Sequence, residues 1–257
     1  MAIDYAVEDG IGLVTLNRPP ANAYDAAMVG ELRAAAERAA GDPAVRVVVV
    51  RSASAKFFCS GADISTLKGA SPAGFANFLV QAQGAVDAIA AAPKLFIAAI
   101  AGHCIGGGLE IALGCDFRWA SAGSYKLGLA EVNLGLSPGM GGTQRLARIV
   151  PKSRALHLMV TGEMLTPEQA LADGIVDRVI AAESFESEVL AAAKKLAAGP
   201  TMAQGYIKLS VNRGLEMSLA EGLAIERAHQ SLLFASSDAA EGLAAFLAKR
   251  PAEFTGA

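Results

Sequence analysis

The sequence carries no surplus of positive charge. Its 257 residues hold 22 Lys and Arg against 25 Asp and Glu, a formal charge of −3, and the isoelectric point lies near 5.7. A domain that binds nucleic acid or an anionic lipid surface carries a basic footprint, so neither partner is expected. Long apolar runs are also missing. The longest charge-free stretch, Gly69 to Val86, is interrupted by Pro72, Asn77, Gln81 and Gln83. No membrane span is expected, although the mean hydropathy is +0.38. The first residues include Asp4, Glu8 and Asp9 and show no basic segment ahead of an apolar one, so no signal peptide is expected. Cysteine is scarce. Cys59, Cys104 and Cys115 make an odd count without a C-x-x-C pair, which fits reduced thiols and a cytoplasmic location. The three histidines, His103, His157 and His229, are scattered and no H-E-x-x-H occurs, so no metal is implied.

What is present is apolar material. Hydrophobic residues make up 53% and charged residues 18%, enough for a sizeable core and too apolar for disorder. The length fits one large domain or a main domain with an appendage. The first half alternates strands and helices. Ile3–Val7 and Ile11–Leu16 flank Glu8-Asp9-Gly10 as a hairpin. Asp25 can cap a helix that ends at Gly41. Val45–Val50 and Lys94–Ala101 read as strands buried on both faces, as in parallel sheets. Ala53–Gly61 reads as a loop, Gly106-Gly107-Gly108 opens a short helix stopped by Gly114, and Asp116–Ser121 is a further strand. The fold class is α/β with parallel character. The second half is helical, with capping boxes at Thr166-Pro167-Glu168-Gln169 and Ser218-Leu219-Ala220-Glu221 and a helix from Ser184 to Gly199-Pro200. The Ala/Leu-rich tail is expected to pack on the main domain or on another subunit. No repeat of 20–50 residues is visible in the sequence.

Gly-rich segments suggest nucleotide binding, but the spacing excludes it. Neither Gly106-Gly107-Gly108-Leu109-Glu110 nor Gly139-Met140-Gly141-Gly142 has the G-x-G-x-x-G pattern or the Lys-Ser/Thr ending of a phosphate loop. Gly135-Leu136-Ser137-Pro138-Gly139 matches G-x-S-x-G, with Asp177 and His229 downstream. In a nucleophile elbow the residue after the serine donates its N–H to the oxyanion, and Pro138 has none. A loop turn is the better reading.

The informative feature is a constellation of two loops, each following a buried strand: Phe58-Cys59-Ser60-Gly61-Ala62-Asp63 and Gly102 through Glu110. Small residues let a ligand approach the backbone, and the second loop ends at a helix N-terminus with free N–H groups. Such a site suits an enolate oxygen, held by preorganised donors and the positive end of the helix dipole. Glu110 lies on the same side of the first helical turn as Gly107, and Glu131 sits in an apolar setting that raises a carboxyl pKa. Taken singly, the glycines equally suit close helix–sheet packing, and either Glu could be a solvated surface acid.

Together these segments resemble the crotonase (enoyl-CoA hydratase/isomerase) superfamily. The matching pieces are Asn17-Arg18-Pro19, Phe57 to Ile64, Pro93 to Gly102, Gly106 to Glu110, Gly128 to Glu131, Leu136 to Thr143 and Glu241 to Arg250, which span nearly the whole chain. The resemblance implies a spiral of ββα units (residues 1–198) with a helical C-terminal region (199–257) that trimerises and completes the active site, and commonly a hexamer. It implies an acyl-CoA thioester substrate and no separate cofactor. Carried over residue by residue, the N–H groups of Ala62 and Gly107 form an oxyanion hole. Ala62, Asp63, Ile64 and Ser65 line the CoA chain, Phe246 and Lys249 reach the adenine and 3′-phosphate, and Glu110 and Glu131 are the two acids that hold a water in hydratases. The expected activity is hydration of a trans-2-enoyl-CoA. A Δ3,Δ2-enoyl-CoA isomerase on the same fold and a non-catalytic acyl-CoA-binding protein are the rivals. Pro20-Ala21-Asn22-Ala23-Tyr24 departs from the commoner Lys-x-x-Asn-Ala-Leu pattern, which bears on the acyl group preferred.

Overall fold

Asp9 and Gly10 both have positive φ, 49° and 80°, and turn the chain between β1 (Ile3–Glu8) and β2 (Ile11–Leu16), which pair antiparallel. The computed structural model describes residues 1–257. Helix α1 (Ala26–Gly41) starts where Asp25 accepts the Met28 N–H at 2.9 Å, the cap expected from sequence. Every later strand pairing is parallel. β3 (Val47–Ser52) is followed by β4 (Phe57–Cys59), α2 (Ile64–Leu67) and α3 (Pro72–Ala91). β5 (Leu95–Ile100) leads to β6 (His103–Ile105) and α4 (Gly107–Gly114). β7 (Phe117–Ser121) leads to β8 (Leu127–Gly128), a 3-10 turn at Glu131–Leu134 and α5 (Gly142–Ile149). α6 (Lys152–Thr161), α7 (Pro167–Ala172) and β9 (Arg178–Ile180) follow, then α8 (Phe185–Ala197). The chain ends in α9 (Thr201–Gly214), α10 (Leu219–Phe234) and α11 (Ser237–Ala248).

One sheet has six strands in the order β1-β2-β3-β5-β7-β9, and three short strands form a second sheet, β4-β6-β8. Three successive ββα units thus stack, each giving one strand to each sheet. β3, β5 and β7 begin at Val47, Leu95 and Phe117, so the units have unequal lengths and leave no period in the sequence.

The β-branched run of β3 is explained by burial on both faces. Val48 and Val50 face the larger core, with Met28, Leu32, Val86 and Ile89 of α1 and α3. Val47 and Val49 face a smaller one, with Phe185, Val189 and Ala193 of α8. The expected strand Val45–Val50 is displaced by two residues, and the expected loop Ala53–Gly61 contains β4. Three-residue strands are too short to show a period of two. Only their pairing with one another identifies them.

The second half is helical, as anticipated, and both capping boxes form. α9 is fastened to the sheet by Lys208, whose Nζ lies 2.9 Å from Asp116 Oδ2 and donates to the carbonyls of Ile89 at 2.8 Å and Lys94 at 2.9 Å. By contrast α10 has no buried residue. Leu219, Leu223, Leu232 and Phe234 of α10 and Leu243, Phe246 and Leu247 of α11 are exposed. The last residues fold back, with the N–H groups of Thr255 and Gly256 donating to Asp238 at 2.7 and 2.9 Å. No single helix is long and apolar enough to cross a membrane. Because Lys208 satisfies a buried carboxylate and two carbonyls at once, Lys208→Ala is expected to cost about 3–5 kcal/mol, the usual result of stranding a buried charge. Urea unfolding followed by circular dichroism measures this, and Asp116→Asn in the Lys208→Ala background should recover part of the loss.

Candidate active site

The first loop is held by Asn22, a buried residue at φ 52°. Its amide donates to Ser52 Oγ at 2.8 Å and to the Phe58 carbonyl at 2.9 Å, and its Oδ1 accepts the Arg18 N–H at 2.8 Å. This lashes residues 18–24 alongside β4. Tyr24 then brackets Ala62: the Tyr24 N–H donates to the Gly61 carbonyl at 2.9 Å, and the Tyr24 carbonyl accepts the Asp63 N–H at 2.8 Å. The N–H of Ala62, between the two, has no acceptor in the chain. Asp63 caps α2 by accepting the Ser65 N–H at 3.2 Å, also accepts the Ser65 hydroxyl at 2.6 Å, and is paired with Arg18 at 2.9 Å. These contacts, the Ser65 hydroxyl foremost, hold its carboxyl below the usual carboxylate range. Asp63 is therefore occupied in shaping the loop, while Ile64 and Ser65 beyond it are exposed.

The second loop approaches the first closely. Gly61 has φ +97°, and a Cβ there would lie 3.2 Å from the Ile105 carbonyl oxygen and 3.6 Å from Gly107 N. A Cβ on Gly108 would collide with the Cys59 carbonyl, and one on Gly107 with the Tyr24 hydroxyl. Glycine is required at both, so α4 can begin directly against β4. Gly106 (φ 54°) precedes the helix, and the Gly107 N–H, like that of Ala62, finds no acceptor in the chain. Two free donors thus lie on adjoining loops, one at the positive end of a buried helix.

Glu110, one turn into α4, is 1% exposed. Its Oε1 accepts the N–H groups of Met140 and Gly142, each at 2.7 Å. Glu131 opens the 3-10 turn and faces the start of α4: its Oε1 lies 3.0 Å from where a Gly106 Cβ would stand. Its Oε2 is buried without a partner. Burial pushes the Glu110 carboxyl up to about 7, opposed by the Gly142 N–H and assisted by the charge of Glu131. Burial also raises Glu131. Two carboxyls, both raised by burial, therefore flank two unpaired N–H donors. Such a site can polarise a carbonyl and hold a water.

Ala62, Gly107, Glu110 and Glu131 are brought together; Phe246 and Lys249 are not. Phe246 is 82% exposed, Lys249 ends α11 at φ 53°, and neither side chain bonds to the loops. The G-x-S-x-G segment is a loop with Ser137 exposed. Asp177 instead holds the Arg118 N–H at 2.6 Å, and His229 meets Ser210 at 2.7 Å, so no triad forms. Sequence reasoning missed the donors to Glu110 and the Tyr24 hydroxyl. The only signal for the former was Gly141-Gly142, with Gly141 at φ +109° between the two donor residues Met140 and Gly142.

The family described as Enoyl-CoA hydratase/isomerase matches residues 6–257. A Rhizobium meliloti protein called "Probable enoyl-CoA hydratase" is 44% identical over 95% of this chain and 94% of its own. The "Crotonyl-CoA hydratase" of Syntrophomonas wolfei is 35% identical over 96% and 95%. An enoyl-CoA hydratase crystal structure from Bacillus anthracis superposes with a TM-score of 0.94 at 31% identity, covering 100% of both chains.

The burial of Glu110 has a consequence for stability. Its folded-state pKa of about 7 exceeds the ordinary 4.5, so the folded chain binds the extra proton in that window. Stability from this group is full below about 4.5 and lost as pH rises through about 7. Glu110→Gln removes the dependence. It should equal wild type near pH 4.5 and exceed it by about 2–3 kcal/mol near pH 8, read from paired urea titrations.

Proposed function

The chain belongs to the enoyl-CoA hydratase/isomerase family, and from that premise we propose that it adds water across the 2,3 double bond of a trans-2-enoyl-CoA thioester. The observation that carries this reading is the pair of buried carboxyls beside two unpaired N–H groups. The thioester oxygen sits between the N–H groups of Ala62 and Gly107. Water attacks C3 and gives its proton to Glu110, the electrons of the double bond move onto the carbonyl oxygen, and Glu131 protonates C2. The two backbone donors on Glu110 favour its ionised form and suit it to act as base. Glu131, with a buried oxygen lacking any partner, suits the acid. One proton remains on the pair, and exchange through the next water resets it.

The route gives kinetic expectations. General acid–base assistance is worth about 10²–10⁴ per group, so Glu110→Gln and Glu131→Gln should each slow hydration by that range. Because both act on one water, the double variant should be little worse than the poorer single one. With Glu110 as base, kcat/KM should fall about tenfold per pH unit below about 7. Loss of the conjugated thioester absorbance reports hydration, with double-bond migration assayed beside it. Unimpaired hydration by Glu110→Gln overturns the two-acid route, and a wild type that only migrates the double bond is an isomerase.

The bare apolar surface of α10 and α11 supports self-association through residues 199–257 into a trimer, or a hexamer of two trimers. Phe246 and Lys249 would then complete a CoA site across subunits. Sedimentation gives the assembly, and a monomer refutes it. Lys249→Ala should weaken binding of full CoA esters while sparing pantetheine esters, since only the former carry the 3′-phosphate.

A further inference from the structure

Tyr24 stands where the family resemblance leads one to expect leucine, and its position ties both halves of the site together. Its backbone brackets Ala62 on either side. Its ring lies against Phe78, with centroids 6.1 Å apart and planes at 20°. Its hydroxyl rests on Gly107, in the space a side chain there would occupy. Tyr24 is 5% exposed, yet its hydroxyl has no hydrogen-bond partner within the chain. The hydroxyl oxygen itself keeps some accessible surface, so it is open to a bound acceptor and not sealed in the core. The unpaired oxygen lies next to the residue whose own N–H is also unpaired, so both donors are available to one acceptor.

We propose that the Tyr24 hydroxyl is a third donor to the thioester oxygen as it gains negative charge, acting beside the N–H groups of Ala62 and Gly107. The proton needed for this is secure. Burial, then the charges of Glu110, Cys59 and Glu131, push the phenol well above its ordinary range, so it remains a neutral donor throughout the working pH range. A neutral donor suits a transient oxyanion, because the ring adds no fixed charge that would oppose ionisation of Glu110. Leucine at the same position would fill the space without this bond, so the hydroxyl is a feature of this chain and not of the backbone cradle. The proposal rests on the oxyanion-site reading above.

Tyr24→Phe removes the oxygen and keeps the ring. The probe is acetoacetyl-CoA, whose enolate absorbs in the near ultraviolet where its keto form does not, titrated into the assembled wild type and variant. Binding of butyryl-CoA, which forms no comparable enolate, is measured in parallel. Loss of one oxyanion donor costs up to about 10²–10³ in rate. For a single neutral hydroxyl we expect enolate binding and kcat to fall about 10- to 100-fold, with KM and butyryl-CoA affinity unchanged. Tm should hold or rise, because no bond within the chain is lost. The proposal is overturned if the variant stabilises the enolate as well as wild type does, which would place the hydroxyl on the water or the carboxyls. It is equally overturned if butyryl-CoA binding falls in step, or if Tm drops, either of which marks a packing role. Should wild type bind the enolate but hydrate no enoyl-CoA, the hydratase reading fails while the Tyr24 assignment stands on the titration.

Discussion

The site depends on how closely the start of α4 can approach β4 and the Tyr24 segment. Gly107 and Gly108 meet the Tyr24 hydroxyl and the Cys59 carbonyl at distances that no Cβ could tolerate. Because they can, the first N–H of a buried helix emerges beside Ala62 with nothing in the chain to bond it. A helix shifted outward by one side-chain radius would separate the two donors and carry Glu110 away from the backbone of Met140 and Gly142. The free N–H groups, the position of the acid and the tightness of the loops are thus one packing fact seen from three sides.

The ββα stacking supplies the rest. β3, β5 and β7 run parallel and deliver the chain to the same edge, and β4, β6 and β8 after them turn it into the second sheet. The loop before α2 and the N-terminus of α4 follow β4 and β6 directly, and Glu131 follows β8. Adjacent strands in that small sheet therefore bring together residues far apart in sequence. Asn22 and Arg18 add the lateral ties that hold the first loop in register.

Burial sets the chemistry as well as the shape. A carboxyl at the surface would be ionised at neutrality and useless as an acid. Removing Glu110 and Glu131 from water raises both, while the N–H groups of Met140 and Gly142 return part of the anion's stability to Glu110 and only its own backbone does so for Glu131. The asymmetry between the two acids lies in the backbone around them, since the side chains are identical.

The amino-acid sequence by itself determined the class of the fold, through the valine run of β3, the cap at Asp25 and the two capping boxes. These are local signals, carried by neighbouring residues and readable without knowing what packs on what. It also identified the two loops and the two glutamates as a group, because the glycine spacing and the motifs flanking it are contiguous. What tertiary structure alone decided lies between segments. β4, β6 and β8 exist only as mutual partners, and the donors to Glu110 are backbone atoms of a loop whose residue types say nothing about hydrogen bonding. Tyr24 read as a departure from a pattern, because a hydroxyl's position against Gly107 is set by the crossing of two loops separated by more than eighty residues. Backbone donors and close approaches have no side-chain signature, so no pattern of residue types could announce them.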